Sequence, residues 1–173
     1  MNFGLLKEIK EMEIERKFRV IELPNNLEQF ERKEIKQGYL CKGPIVRIRK
    51  SNNQYILTYK NKKGIQQKHA IQSNEVELEL TKEAFLHLMT KVDDYIIEKT
   101  RYLIPYQEKY TIELDVFEGR LHGLYFAEVE FETEEEAKNF IKPDWFGEDV
   151  SFDERFRNSY LSKINAFEDL GLF

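Results

Sequence analysis

Along most of this chain apolar and polar positions alternate with a period of two, the repeat of an extended strand whose side chains point to opposite faces. Met12–Val20 opens the series, and Glu34–Cys41, Ile45–Lys50, Gln54–Lys60, Glu75–Leu80, Tyr95–Pro105, Lys109–Phe117 and Leu124–Glu132 continue it. With the weaker stretch Gln67–Ser73 joined to Glu75–Leu80, the pattern predicts eight strands. Turn signals fall between them: Gly43-Pro44, Ser51-Asn52-Asn53, Lys62-Lys63-Gly64, Tyr106-Gln107-Glu108 and a glycine-containing turn before Leu124. The clearest hairpin is Ile45–Lys60, two runs of β-branched and aromatic residues around a short polar loop. Pro24-Asn25-Asn26 breaks the chain ahead of a short helix over Leu27–Phe30.

A few segments change to helical periodicity. Thr81 is placed to cap a helix whose Phe85, Leu88, Met89 and Val92 share one face. Thr133 and Glu136 form a capping box before Ala137, Phe140 and Ile141. Pro143-Asp144 is expected to open a short helix through Trp145 and Phe146, and Tyr160, Leu161, Ile164 and Phe167 predict a final amphipathic one. No repeat, linker or low-complexity tract divides the chain, so a single domain over 12–173 is expected, preceded by an extension over 1–11, with Met12 a second plausible start.

The polar positions of the strands are charged, and charge is sorted by strand. Glu13, Glu15 and Lys17 share a face; so do Arg47 and Arg49, Thr58 and Lys60, Glu75, Glu77 and Glu79, Lys99 and Arg101, Glu113 and Asp115, and Glu128 and Glu130. A solvated sheet face usually mixes Lys, Glu, Thr, Ser and Gln. Here there is little neutral filler. If the sheet closes with these faces inward, its lumen offers carboxylates to metal ions and Lys/Arg side chains to a polyanion, while the apolar faces pack against helices.

Composition narrows the chemistry. Cys41 is the only cysteine, which excludes an internal disulfide and a thiolate metal site, and it is expected to be a buried small hydrophobe. His69, His87 and His122 have no ligand spacing, so a metal would be held by carboxylates and would be a hard cation such as Mg²⁺ or Mn²⁺. The net charge of −5 does not favour nucleic acid, and no signal segment or apolar run long enough for a membrane span is present, so a cytoplasmic location is expected. Arginine provides planar bidentate donors to phosphate and lysine a mobile charge. Arg47, Arg49, Arg101, Lys17, Lys60 and Lys99 therefore suit a chain of phosphates, whose transfer needs mostly positioning and charge neutralisation. The general base is not identified by the sequence.

Glu13-Ile14-Glu15-Arg16-Lys17 resembles the ExExK signature of the CYTH, or triphosphate tunnel metalloenzyme, superfamily in its compact bacterial form. VRIRK at 46–50, LTYK at 57–60, EVELEL at 75–80, EKTRY at 98–102, IELDVF at 112–117 and AEVEFE at 127–132 resemble the successive tunnel strands of that family in order. PDWFGEDV at 143–150 and RNSYLS at 157–162 extend the likeness, which covers residues 12–162. The resemblance implies a β-dominated α+β fold: a closed eight-stranded antiparallel barrel, or tunnel, with flanking helices and a C-terminal helix. It implies Mg²⁺ or Mn²⁺, two ions together with substrate, and action on a small-molecule triphosphate. Carried over by residue, Glu13, Glu15, Lys17 and Glu130 would be catalytic, and Glu13, Glu15, Glu113, Asp115, Glu128 and Glu130 would hold metal. Lys17, Arg47, Arg49, Lys60, Lys99 and Arg101 would bind phosphate. Glu75 and Glu77 lie in the matching acidic strand, facing metal, water or a neighbouring arginine; Arg155 and Arg157 are expected at the surface, with reach into the tunnel from the C-terminal region as the alternative.

The expected activity is hydrolysis of the terminal phosphate of a triphosphate, inorganic tripolyphosphate first, because no pocket for a base or thiazole ring is legible. The alternatives are a class IV-type adenylate cyclase, then a thiamine triphosphatase, then a non-catalytic binder of polyphosphate or nucleotide. No nucleic-acid or membrane partner is expected, and a homodimer is left open.

Overall fold

The computed structural model of the protein describes residues 9–10, 14–61 and 74–172. Among the described residues ten strands form one sheet: β1 (Ile9–Lys10), β2 (Ile14–Val20), β3 (Glu31–Lys42), β4 (Ile45–Ser51), β5 (Gln54–Asn61), β6 (Asn74–Glu79), β7 (Ile97–Tyr106), β8 (Tyr110–Phe117), β9 (Tyr125–Phe131) and β10 (Phe146–Asp149). Their order is β1-β6-β5-β4-β3-β7-β8-β9-β2-β10, with every neighbouring pair antiparallel. β2 to β9 are the eight strands read from alternation; β1 and β10 are additional edges. Met12, Gln67–Ser73 and Lys62-Lys63-Gly64 lie outside the described residues.

Local chemistry sets the hairpins. β4 and β5 join through Asn52-Asn53, where Asn52 has φ 51 and its side-chain oxygen accepts a 2.8 Å hydrogen bond from the Glu34 amide. The β7–β8 hairpin turns through two left-handed residues, Gln107 at φ 51 and Glu108 at φ 55. Gly38 lies on the outward face of β3, where a Cβ would stand 2.6 Å from a Val92 methyl carbon. Glycine therefore allows the segment after helix α1 (Lys82–Met89) to lie against the sheet. The Thr81 hydroxyl caps that helix by accepting from the Ala84 amide at 3.1 Å, as its sequence predicts.

The sheet curls strongly enough that side chains from β2 and β6, separated by six strands in the sheet order, line the same cavity. Among the described residues no ladder joins the edge strands β1 and β10, so hydrogen bonds do not close the sheet into the expected eight-stranded barrel. The convex face carries one core of Phe18, Ile104, Ile112, Leu114, Val129, Phe131 and their neighbours, covered by helix α2 (Glu134–Asn139) and β10. A second core fills one end of the concave side, where Tyr39, Ile97, Phe117 and Phe126 meet Val150, Phe156, Leu161 and Leu170 from the C-terminal segment.

That segment departs from the predicted helices. Pro143–Phe146 makes a single turn, and the chain then enters β10, because Phe146 stacks 4.8 Å from Phe18 and Gly147 approaches the backbone of Arg19. In place of a final helix there are short turns at Glu154–Phe156 and Phe167–Leu170 and one α-turn, α3 (Asn158–Leu161). Arg120 accounts for the break: its guanidinium donates to the carbonyls of Leu161 and Ile164 at 3.0 and 2.7 Å, and the Asp169 carboxylate takes the amides of Asn165 and Ala166. Cys41 is half-buried rather than buried. Among the described residues no helix is long and apolar enough to cross a membrane.

Candidate functional site

The concave face encloses a cavity of about 880 Å³, closed at one end by the second core. Two walls of different character line it. On β4, the outward Val46, Ile48 and Lys50 alternate with the inward Arg47 and Arg49. The Arg47 guanidinium donates to Thr58 at 3.1 Å and to Glu75 at 3.4 Å; Arg49 donates to Glu77 at 2.9 Å; Lys60 pairs with Glu75 at 3.1 Å. Arg47 beside Arg49, together with burial and Arg101, pushes the Arg49 pKa down to about 10. This wall, β3 to β6, therefore holds cations that repel one another.

The opposite wall, from β7, β8, β9 and β2, is tied together by buried charge. Asp115 is completely buried and accepts from Lys99 and from Arg101, whose Nε and an amino nitrogen donate at 2.6 and 2.7 Å. Arg101 also donates to Glu113, and to Glu128 at 2.7 Å, while Lys17 pairs with Glu128 at 2.8 Å and donates to the Phe156 carbonyl at 3.1 Å. Burial alone would raise Glu128, but Lys17, Arg101 and Lys99 outweigh it and hold that carboxyl well below the usual range. Asp115 is likewise lowered, by Arg101 and Lys99 against its burial. Burial pulls Lys99 down to about 8, whereas in Lys17 the carboxylates of Glu128 and Glu15 overcome burial and raise it.

Strand register places Glu15 opposite Glu130 and Glu113 opposite Glu128. Burial, with Arg101 opposing and Glu128, Asp115 and Glu130 adding, raises the Glu113 pKa. Crowded, hard oxygen donors, of which Glu113 resists ionisation, fit a divalent cation, which would relieve their repulsion. Among the described residues no three carboxylates already converge on one point, because Glu113 and Glu128 are turned toward Arg101 and Lys17. Filling the site with metal therefore means exchanging those ion pairs.

Of the residues predicted from sequence, Glu15, Lys17, Arg47, Arg49, Lys60, Glu75, Glu77, Lys99, Arg101, Glu113, Glu128 and Glu130 all line this cavity. Asp115 does not: it lies behind the wall and holds Lys99 and Arg101. Glu13 lies outside the described residues. Glu75 and Glu77 face arginines. Arg155 is at the surface with Asp153, as expected, but Arg157 reaches the cavity, paired with Glu154 at 2.6 Å. Lys33, Gln37, Tyr39 and Asn158 also line the cavity and escaped the sequence reading. The signal for Gln37 was its place two residues from Ile35 and Tyr39; on a face that mixes apolar and neutral residues, charge sorting is blind to it.

An arrangement of this kind can seat a compact polyanion beside a divalent cation. The family model for the CYTH domain matches residues 11–167. The inorganic triphosphatase of Nitrosomonas europaea is 35% identical over 153 residues, 87% of this chain and 96% of that protein. The inorganic triphosphatase of Acetivibrio thermocellus is 37% identical over 131 residues, 74% of this chain and 79% of that protein. A crystal structure of an inorganic triphosphatase superposes with a TM-score of 0.67 at 33% identity, covering 89% of this chain and 96% of that one.

Proposed function

The chain belongs to the CYTH domain family, and on that premise we propose that it hydrolyses the terminal phosphate of triphosphates, inorganic tripolyphosphate foremost, with the help of a divalent cation. The observation that carries the proposal is the single cavity in which Arg47, Arg49, Lys60, Lys99, Arg101 and Lys17 face a cluster of carboxylates. Relatives similar over most of the chain are inorganic triphosphatases, which favours an inorganic substrate. The curled sheet acts on this reading as a closed tunnel, a reading supported by the shared cavity of β2 and β6.

Arg47, Arg49 and Lys60 bind and orient the phosphoryl oxygens in place of their ties to Glu75 and Glu77, the arginines through bidentate contacts and Lys60 as a point charge. Arg101 and Lys17 complete the clamp from the opposite wall once they leave Glu113 and Glu128. Those two carboxylates, with Glu15, Glu130 and Glu13, would then hold Mg²⁺ or Mn²⁺, two ions with substrate. A bound cation of this kind neutralises charge on the phosphoryl group and acidifies a coordinated water. Asp115 keeps Lys99 and Arg101 aimed at the lumen by holding both. The apolar core at the closed end excludes water from that side of the substrate.

The test is release of phosphate and pyrophosphate from tripolyphosphate, ATP and thiamine triphosphate, each with Mg²⁺, Mn²⁺ or a chelator. Phosphate from tripolyphosphate that stops in chelator is expected. Pyrophosphate with cyclic AMP would replace the reading with a cyclase, and undiminished turnover in chelator would end the metal mechanism. Glu15→Gln should abolish metal-dependent turnover while the melting temperature stays near wild type; unchanged activity would remove Glu15 from the site.

A further inference from the structure

Three N–H donors on β3 and β4 are buried in the cavity lining with no hydrogen-bond partner among the described residues: Gln37 Nε2, Arg47 Nε and Arg49 Nε. They are neighbours. Gln37 lies opposite Arg49 in the β3–β4 register, and Tyr39, two residues along the same face, lies opposite Arg47. Gln37 is 1% exposed, so its amide cannot turn to bulk water for a partner.

Such a group is costly. A buried donor left unsatisfied destabilises a fold by about 1–3 kcal/mol, and an apolar side chain of the same shape avoids the cost. On the other side of Gln37 in the sheet stands Ile97, an apolar neighbour against which a leucine or methionine would pack. Asn158, another residue lining the cavity, has its Oδ1 buried without a partner among the described residues, but that atom is an acceptor, with nothing to offer an anion. The three atoms on β3 and β4 are all donors, and their common complement is an oxyanion.

We propose that Gln37 is a further substrate-binding residue, whose Nε2 donates to a phosphoryl oxygen of the triphosphate held by Arg47 and Arg49. The assignment rests on the triphosphate reading above and deepens it by naming a contact that charge does not reveal. Gln37 differs from its arginine neighbours in being neutral. It directs the anion without attracting it from a distance, so its contribution is nearly independent of ionic strength, whereas that of Arg47 and Arg49 weakens with salt.

The experiment compares wild type, Gln37→Leu and Gln37→Glu. It reads the melting temperature without ligand, the upward shift produced by tripolyphosphate in chelator, and kcat/KM for tripolyphosphate at low and high salt. Gln37→Leu should keep or raise the unliganded melting temperature, shrink the tripolyphosphate shift, and lower kcat/KM about 10–100-fold at both salt concentrations, as expected for one lost hydrogen bond to a charged group. Gln37→Glu keeps the shape but repels the substrate, so its loss should be larger and should diminish in high salt. Gln37→Leu with wild-type kcat/KM and a wild-type shift would overturn the assignment. So would two variants that both melt early yet keep the full shift, which is the signature of a purely structural glutamine. If wild type itself neither shifts with tripolyphosphate nor hydrolyses it, the triphosphate reading falls, an outcome visible before any variant is compared.

Discussion

The two walls of the cavity carry similar residues in opposite electrostatic states. On β7, β8, β9 and β2 each cation that lines the cavity, Lys17, Lys99 and Arg101, has a carboxylate at hydrogen-bond distance, and Asp115 at the centre has both oxygens engaged. On β3 to β6 two arginine Nε groups and an amide have no partner among the described residues, and Arg49 is pushed down to about 10 because Arg47 stands beside it. The cations of the first wall are neutralised without ligand. The second is frustrated until an anion arrives, and binding of an anion to the folded state alone would stabilise it by mass action. Stability and substrate affinity should thus separate by wall.

The sharpest way to break that contrast is to neutralise one acid on each side. Asp115→Asn leaves Lys99 and Arg101 buried with a weaker partner and should cost about 3–5 kcal/mol in urea denaturation. Glu77→Gln, on a half-exposed side chain that accepts from Arg49 and Thr58, should cost less than about 1 kcal/mol. Equal losses would mean that the walls are not different in kind. Acid sharpens the same point. Asp115 and Glu128 have lowered pKa values, so the stability they give is present above the ordinary carboxylate range and is lost as pH falls through their folded values. Asp115→Asn should therefore flatten the acid limb of the stability curve.

Next in size is the effect of removing a cation from the frustrated wall. Arg49→Gln takes away a phosphate ligand and also relieves Arg47, its nearest source of repulsion. The expected outcome is a fall of about 100-fold in kcat/KM for tripolyphosphate, the loss of one charge-assisted bidentate contact, with an unfolding free energy equal to wild type or higher. A variant that loses stability in step with activity would place Arg49 with the structural network instead.

How much of this was legible in the chain follows from the same division. Alternation located β2 to β9 because each strand has one apolar face, and charge sorting found the residues of both walls because Glu, Lys and Arg are conspicuous at period two. It could not tell Asp115 from Glu113: the two share a face and differ only in depth, which the packing of Phe117 and Phe126 decides. Gln37 carried no charge and was passed over. The helix expected from Pro143 through Phe146 runs into the first residue of β10, because Trp145 and Phe146 supply apolar residues at either period, and what holds β10 extended is pairing with a strand more than a hundred residues earlier. The C-terminal helix failed for a related reason. Its face of Leu161, Ile164 and Phe167 is real, but Arg120, distant in sequence, takes the carbonyls that a continuing helix would need.

The smallest expected effect concerns Lys99, which tests whether burial truly divides the walls. A lysine ordinarily titrates near 10.5, but in the folded protein burial and, behind it, the repulsion of Arg101 against the attraction of Asp115 leave Lys99 at about 8. Between those two values the unfolded chain keeps a proton that the folded chain has released. Because the unfolded state then binds more protons, stability from this group rises with pH across the window and is flat below about 8, where both states are charged. Lys99→Met removes the group with little change of volume and leaves Asp115 to Arg101. The wild type should therefore gain on the variant as urea midpoints are followed from pH 7 to pH 9.5. Parallel curves would mean that Lys99 is solvated in both states, and the buried wall would then be no more closed to water than the one that awaits the anion.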